Sequence, residues 1–531
     1  MKTVIKETLV SLELSLEKMT EKKNTWQEWW DSDACKKLQK AHQEAKERAV
    51  GKYHMLSEED KLDMIQAICY IMCKAEEEGI SHRGLQDALG VYPAGFWVSE
   101  LMDVHNALWS FYHDKKREKE FKNDLDTLDK FLENKKCNMV SPAYVVGYGM
   151  IDALGNNPGD CFLNMVNNHD YSVELDFMGD HKIHRGIKAD DSLLKLPEEF
   201  TPKIVANMTR AQQFALHATD QALKMSGLPL SPNVAVIVSS VSNDVEFLDG
   251  NFQKLKENKR VNPFKVVNRI PDIISGQICS HYGFMGASFA LYASCATGMY
   301  SIDYAMRILD EYDYVIVGGA DAGVFEIAIK YFAAIGALGN VNAPFDDSRE
   351  GFVMGEGSGV LILQSEEKVK EFNSTKHAKL YPVGSASDAF DLTSPADDGR
   401  GAKIALDKAL RGIDHIDAVN AHATSTPVGD PVEYRVVTDR YPNTPIYAPK
   451  SKIGHTLAAA STLEAIYAIL SMKNKLIPHC QNMVECSYDT HKVLVKKPTK
   501  MLGSGRGLRT LNNSFGFGGK CACQVIEVND D

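Results

Sequence analysis

From about residue 140 onward, short apolar runs alternate with helical patterns, an order that few architectures accept. Tyr144-Val145-Val146-Gly147-Tyr148-Gly149-Met150 reads as a β-branched strand entering a glycine turn, and Val234–Val238, Tyr314–Ala320 and Val360–Leu363 are further apolar strands. Helical patterns occupy 207–226, 298–311 and 402–412 between and after them. Continuous apolar strands alternating with helices predict α/β layers, with a sheet covered on both faces. The first part of the chain is different. All five tryptophans (Trp26, Trp29, Trp30, Trp97, Trp109) fall before residue 110, glycine is sparse until about 145, and a charged stretch from Lys115 to Lys136 marks a boundary near 138. Residues 1–137 read as all-α. Ser57-x-x-Asp60 resembles a capping box ahead of a helix that turns Leu62, Ile65, Ile68 and Met72 inward. No chemistry is legible there, and an interaction or dimer-supporting module is expected.

Composition narrows the function classes. At 531 residues and 44% hydrophobic content the chain can bury large cores. A net charge of −12 argues against nucleic acid or an anionic membrane as the main partner. No uninterrupted apolar stretch follows the mixed-charge N-terminus, so neither a signal peptide nor membrane insertion is expected. The eleven cysteines are scattered without paired zinc spacing, Cys69/Cys73 and Cys521/Cys523 included, which predicts a reduced, cytoplasmic protein with no metal site.

One cysteine stands apart. Cys295 lies in Ala293-Ser294-Cys295-Ala296-Thr297-Gly298, after Phe289–Tyr292, which reads as the end of a buried strand, and before a helix carrying Ile302, Ala305, Met306 and Leu309. At a helix N-terminus the free N–H groups and positive dipole end favour a thiolate, the form that attacks a thioester carbonyl.

Downstream segments supply partners. Asn420-Ala421-His422-Ala423-Thr424-Ser425-Thr426 offers a histidine and hydroxyls at a strand end. Lys450-Ser451-Lys452-Ile453-Gly454-His455 precedes a small-residue helix, so that the dipole would keep His455 neutral, and Glu464 is a candidate partner for a semi-buried Lys450. Asn513-Ser514-Phe515-Gly516-Phe517-Gly518-Gly519 lets backbone N–H groups approach an oxyanion. Pro344–Gly357 reads as a tight acidic turn before a buried strand.

In this order the motifs resemble an elongating β-ketoacyl-[acyl-carrier-protein] synthase of the Cys-His-His type over residues 140–531. The resemblance implies a thiolase-like five-layer α-β-α-β-α fold, with one half at 138–385 carrying the nucleophile and the other at 386–531 carrying the histidines, usually as a homodimer. It implies Cys295 as acyl acceptor, His422 and His455 as the pair stabilising the enolate, and Lys450 with Glu464 as their supporting ion pair. The N–H groups of Cys295 and Phe517 would form an oxyanion hole, with Phe517 as gate. Thr424, Thr426, Thr393 and Phe515 would contact substrate. No cofactor is implied beyond the phosphopantetheine of an acyl carrier protein, the expected partner. Departures from the family pattern are Ala423 where glycine is usual, Pro449 before the lysine, Asp391, Lys520-Cys521, and few glycines at 239–244. An acyltransferase or malonyl decarboxylase of the same fold, or a chain-length partner subunit, are the alternative activities.

Overall fold

Pairing among the buried strands sets the architecture. The computed structural model describes residues 140–529 apart from 243–250, 253, 262–266, 269 and 502–506. The expectations for residues 1–137, with Cys69 and Cys73, lie outside the described residues.

Ten strands form the main sheet: β1 (Ala143–Asp152), β2 (Val234–Ser239), β3 (Tyr314–Ala322), β4 (Glu356–Gln364), β5 (Ala378–Leu380), β6 (Gly384–Ser387), β7 (Ala418–Asn420), β8 (Ile446–Tyr447), β9 (Leu508–Gly516) and β10 (Lys520–Val528). Their order is β8-β7-β9-β10-β5-β1-β4-β3-β2, with β6 also on β10. Every residue of β2, β3 and β4 is buried, as expected for strands covered on both faces.

The two halves repeat one plan. In the second, β8 runs parallel to β7, β7 parallel to β9, and β9 antiparallel to β10. In the first, β2 runs parallel to β3, and β3 antiparallel to β4. The counterpart of β8 is the extended segment 285–291. It meets β2 through a single parallel bridge, Val236–Ser288, and through bonds such as Val236 N–H to Ala287 O at 2.8 Å. Phe289–Tyr292 is therefore not the end of a buried strand. It is a half-buried edge segment with Tyr292 52% exposed, because only one side of it is paired.

Helices complete the layers. α1 (Pro158–Met165) follows β1. α2 (Arg210–Ser226) opens on a capping box between Thr209 and Gln212 and packs on β1, β4 and β3, while α3 (Ile273–Tyr282) covers β2. α5 (Arg400–Ala409) packs on β6 and β10, with α6 (Gly429–Arg440) beside it, and the short α7 (Lys450–Ile453) follows β8. Between the halves lie α4 (Thr297–Ile308) and α8 (Ala460–Lys473), each touching strands of both halves and each other. The result is α-β-α-β-α layering.

Every residue of α8 from Ala460 to Met472 is buried, which explains its small and apolar composition. Close approach is needed where β3 meets the turn before α8: a Cβ on Gly319 would stand 2.2 Å from the Ala458 carbonyl oxygen. No described helix is long and apolar enough to cross a membrane.

Candidate active site

The repeat brings the motifs together. Cys295 follows the edge segment of one half, and Lys450–His455 follows β8 of the other. α4 and α8 then carry both chain segments into the central layer.

Around Cys295 the backbone is bent sharply. Ser294 has φ 51°, a conformation that side-chain-bearing residues adopt at a cost. Thr297 secures the bend: its hydroxyl donates to Ser294 O and accepts from Ala293 N–H at 2.9 Å. Cys295 O accepts from the hydroxyls of Ser514 (3.3 Å) and Ser461 (3.4 Å). The helix N-terminus does not produce a resting thiolate. Cys295 is half-buried, but the bulk of protein around it outweighs that partial exposure, and burial pushes the thiol up to about 11. Lys450 and the backbone N–H groups of Phe517 and Cys295 pull it down, while Asp321 pushes it further up. Those two N–H groups are the pair read from sequence as an oxyanion hole, and both face the sulfur. The turn comes this close because Gly516 has no side chain: a Cβ there would lie 2.9 Å from both Ala293 O and Cys295 N.

His422 leaves the end of β7. Its backbone N–H and that of Ala423 each donate at 2.8 Å to one oxygen of Glu433, on α6. The Asn513 amide donates to the same carboxylate at 2.9 Å. Lys450 Nζ lies 3.3 Å from His422 Nδ1 and pairs with Glu464, both side chains being fully buried. An ammonium has only protons to give, so Nδ1 accepts and the imidazole proton resides on Nε2. Burial, then Lys450, then His455 hold His422 well below the usual histidine range. Burial also raises Glu464 to about 7 against the pull of Lys450.

His455 precedes a 3-10 turn (Leu457–Ala459) that leads straight into α8, and burial, then Lys450, pushes it well below the usual histidine range. Its backbone is held by Val353 O and Gly355 N–H at 2.8 and 3.0 Å, and its ring meets Phe352 edge-on at 4.9 Å. Neither ring nitrogen has a protein partner among the described residues. The two histidine rings are 5.7 Å apart at 87°, and Phe515 lies 5.6 Å from His422.

Thr424 and Thr426 follow directly, with hydroxyl oxygens 3.3 Å apart. Thr393 is not among these contacts: it lies on an exposed loop and its hydroxyl donates to Asp391 at 2.9 Å. That loop touches the glycine turn through Gly518 N–H to Leu392 O at 2.7 Å.

Some site residues were not legible as such. Glu433 could have been suspected from Asp430 and Glu433, two acids three apart beside Val432, Val436 and Val437. Pro344–Gly357 is more than a turn, since Phe352–Gly355 holds His455 and nearby Asn342 donates to Lys450 O. Asp321 accepts from Ser240, Ser242 and Ala458 N–H, bracing the turn after His455. Four buried oxygens (Asn420 Oδ1, Glu464 Oε2, Asn512 Oδ1, Asn513 Oδ1) lack protein partners among the described residues. No cluster of three His, Cys, Asp or Glu side chains suited to a metal occurs among the described residues.

Comparison with known proteins gives two family matches: the β-ketoacyl synthase N-terminal domain over residues 141–369 and the β-ketoacyl synthase C-terminal domain over 377–484. The chain is 30% identical over 412 residues to 3-oxoacyl-[acyl-carrier-protein] synthase 2 of Staphylococcus aureus, covering 72% of this chain and all of that protein (100%). Among solved structures, the ishigamide ketosynthase/chain length factor aligns with TM-score 0.65 and 27% identity, over 73% of this chain and 99% of that one. A β-ketoacyl synthase from Burkholderia phymatum STM815 aligns with TM-score 0.66 and 23% identity over the same shares, 73% and 99%.

Proposed function

The chain belongs to the β-ketoacyl synthase family, and on that premise we propose that it elongates acyl chains by decarboxylative Claisen condensation with malonyl-[acyl-carrier-protein]. The observation that carries this reading is that Lys450 acts on Cys295 and on two neutral, buried histidines alike, His455 having both ring nitrogens free of protein partners among the described residues.

In the first half-reaction the Cys295 sulfur attacks the acyl thioester carbonyl. The N–H groups of Cys295 and Phe517 stabilise the oxyanion, and the thiol proton leaves with the phosphopantetheine thiol. In the second, the malonyl thioester loses CO₂, and its carbonyl oxygen takes the negative charge of the enolate. His422 Nε2–H and one N–H of His455 donate to that oxygen. The enolate carbon then attacks acyl-Cys295, the acyl C–S bond to Cys295 breaks, and the sulfur takes up one proton from solvent as the 3-oxoacyl thioester departs. Neutral imidazoles are suited to this role because they donate without surrendering the proton outright. Lys450, held by Glu464, keeps His422 in the donating tautomer.

The paired hydroxyls of Thr424 and Thr426, with Phe515 beyond His422, support contacts to the phosphopantetheine arm, and Thr393 would act only through its loop. Phe517, on a turn with two glycines after it, is proposed as the gate. The edge segment 285–291 supports a homodimer: no described strand pairs with its outer side, and Met285 is 79% exposed along it. Seven free cysteines among the described residues suit a reducing cytoplasm. Residues 138–385 and 386–531 are proposed as the two halves, with 1–137 as an accessory module.

The reading is tested with acyl- and malonyl-carrier protein and mass spectrometry. A 3-oxoacyl product two carbons longer is expected from the parent, and none from Cys295→Ala. Full activity in that variant would overturn the assignment.

A further inference from the structure

We propose that Ser294 is a positioning residue that holds Phe517 by its carbonyl oxygen, so that the N–H on the other side of the same Cα faces the Cys295 sulfur; this rests on the functional reading above.

The Ser294 hydroxyl donates to the Phe517 carbonyl oxygen at 3.1 Å. The N–H of the same residue faces the sulfur one position further along. Phe517 is thus anchored at both of its backbone polar groups by two consecutive residues of the nucleophile turn. The same 517–518 amide that accepts from Ser294 donates from its other end, Gly518 N–H to Leu392 O at 2.7 Å, so Ser294 and the Leu392 loop hold it between them. The turn needs such anchors. Gly518 and Gly519 have φ 77° and 69°, and Phe515 to Lys520 are all only half-buried, so packing alone restrains this segment weakly.

Ser294 can reach Phe517 O because of its own backbone. With φ 51°, the residue directs its side chain away from α4 and toward the glycine turn, and the strain of that conformation is retained at the site. A hydroxyl is the smallest group that can donate from there. Alanine would keep the bend and lose the bond, while glycine would lose the bond and also relieve the bend.

These two variants separate positioning from stability. In the full-length protein, acylation of Cys295 by an acyl-carrier thioester is followed by rapid quench and intact mass, alongside thermal unfolding. Both Ser294→Ala and Ser294→Gly are expected to slow single-turnover acylation by about 3- to 10-fold, the range set by one net hydrogen bond, with the half-saturating substrate concentration unchanged. Ser294→Gly is expected to unfold at a higher temperature than Ser294→Ala. Acylation at the parental rate in both variants would overturn the proposal, as would rates that simply follow the unfolding temperatures. No acylation of the parent protein would instead overturn the functional reading on which it rests.

Discussion

Replacing His455 with alanine should separate the two half-reactions. The perturbation is clean because neither ring nitrogen bonds to protein among the described residues, so no buried partner is left unpaired. What is lost is one preorganised donor to the enolate oxygen, which costs about 3–4 kcal/mol of transition-state stabilisation, or roughly 10²–10³ in rate. Stability should move less. The edge contact with Phe352 at 4.9 Å is lost, at about 0.5–1.5 kcal/mol, and the cavity adds to that. Removing two desolvated ring nitrogens offsets part of it, at about 1–3 kcal/mol for each unpaired polar group. A net change within about 2 kcal/mol is expected. Rapid-quench mass spectrometry would follow acyl-Cys295 formation and its discharge by malonyl-carrier protein. Near-parental acylation with condensation slowed by two to three orders of magnitude is the expected pattern. Equal loss in both steps, or less than a tenfold loss in condensation, would refute the assignment of His455 to the enolate oxygen.

Three other perturbations follow from the same geometry. Ala423→Gly should stabilise the protein by about 1 kcal/mol, since Ala423 has φ 28° where glycine is unstrained; an unchanged or lower denaturant midpoint would contradict this. Gly516→Ala should slow Cys295 acylation, because the new Cβ would fall 2.9 Å from Cys295 N and Ala293 O; acylation at the parental rate would show that the turn can move away at no cost. Lys452 supports a pH test. Its ammonium is buried against Asn164 O and Asn167 with no carboxylate paired to it among the described residues, and burial lowers it to about 8 from 10.5. Between those values the unfolded chain binds more protons, so this residue's contribution to stability should rise as pH rises from about 8 toward 10.5. Comparing denaturant midpoints at pH 7.5 and 9.5 should show a gain in the parent that is smaller in Lys452→Met; equal gains would contradict it.

The sequence carried the layers and the site motifs because both depend on local signals. Apolar runs such as Val234–Val238 and Val360–Leu363 are buried on both faces and so are legible as strands without knowledge of their partners. The motif residues declare themselves through unusual local chemistry, such as histidine beside hydroxyls or glycine around phenylalanine. What failed depended on long-range geometry. Phe289–Tyr292 is as apolar as a buried strand, but only its place at the edge leaves it half-exposed. The Cys295 thiol is raised although the sequence places it at a helix N-terminus, because burial, which no local pattern reveals, outweighs the local dipole. Phe352 and Asp321 act on residues that are distant in sequence, and nothing in their own neighbourhoods reveals it. Pro344–Gly357 reads only as a turn because its contact with His455 spans the two halves.

The central claim is that Cys295 holds the acyl group that is then lengthened, and peptide mapping under turnover tests it most directly. The protein is loaded with an acyl-carrier thioester, quenched, and mapped, then given malonyl-carrier protein. The account predicts an acyl adduct on the peptide containing Cys295, which disappears as a 3-oxoacyl thioester two carbons longer appears. An adduct on another cysteine, or one on Cys295 that malonyl-carrier protein leaves in place or releases without lengthening, would contradict it.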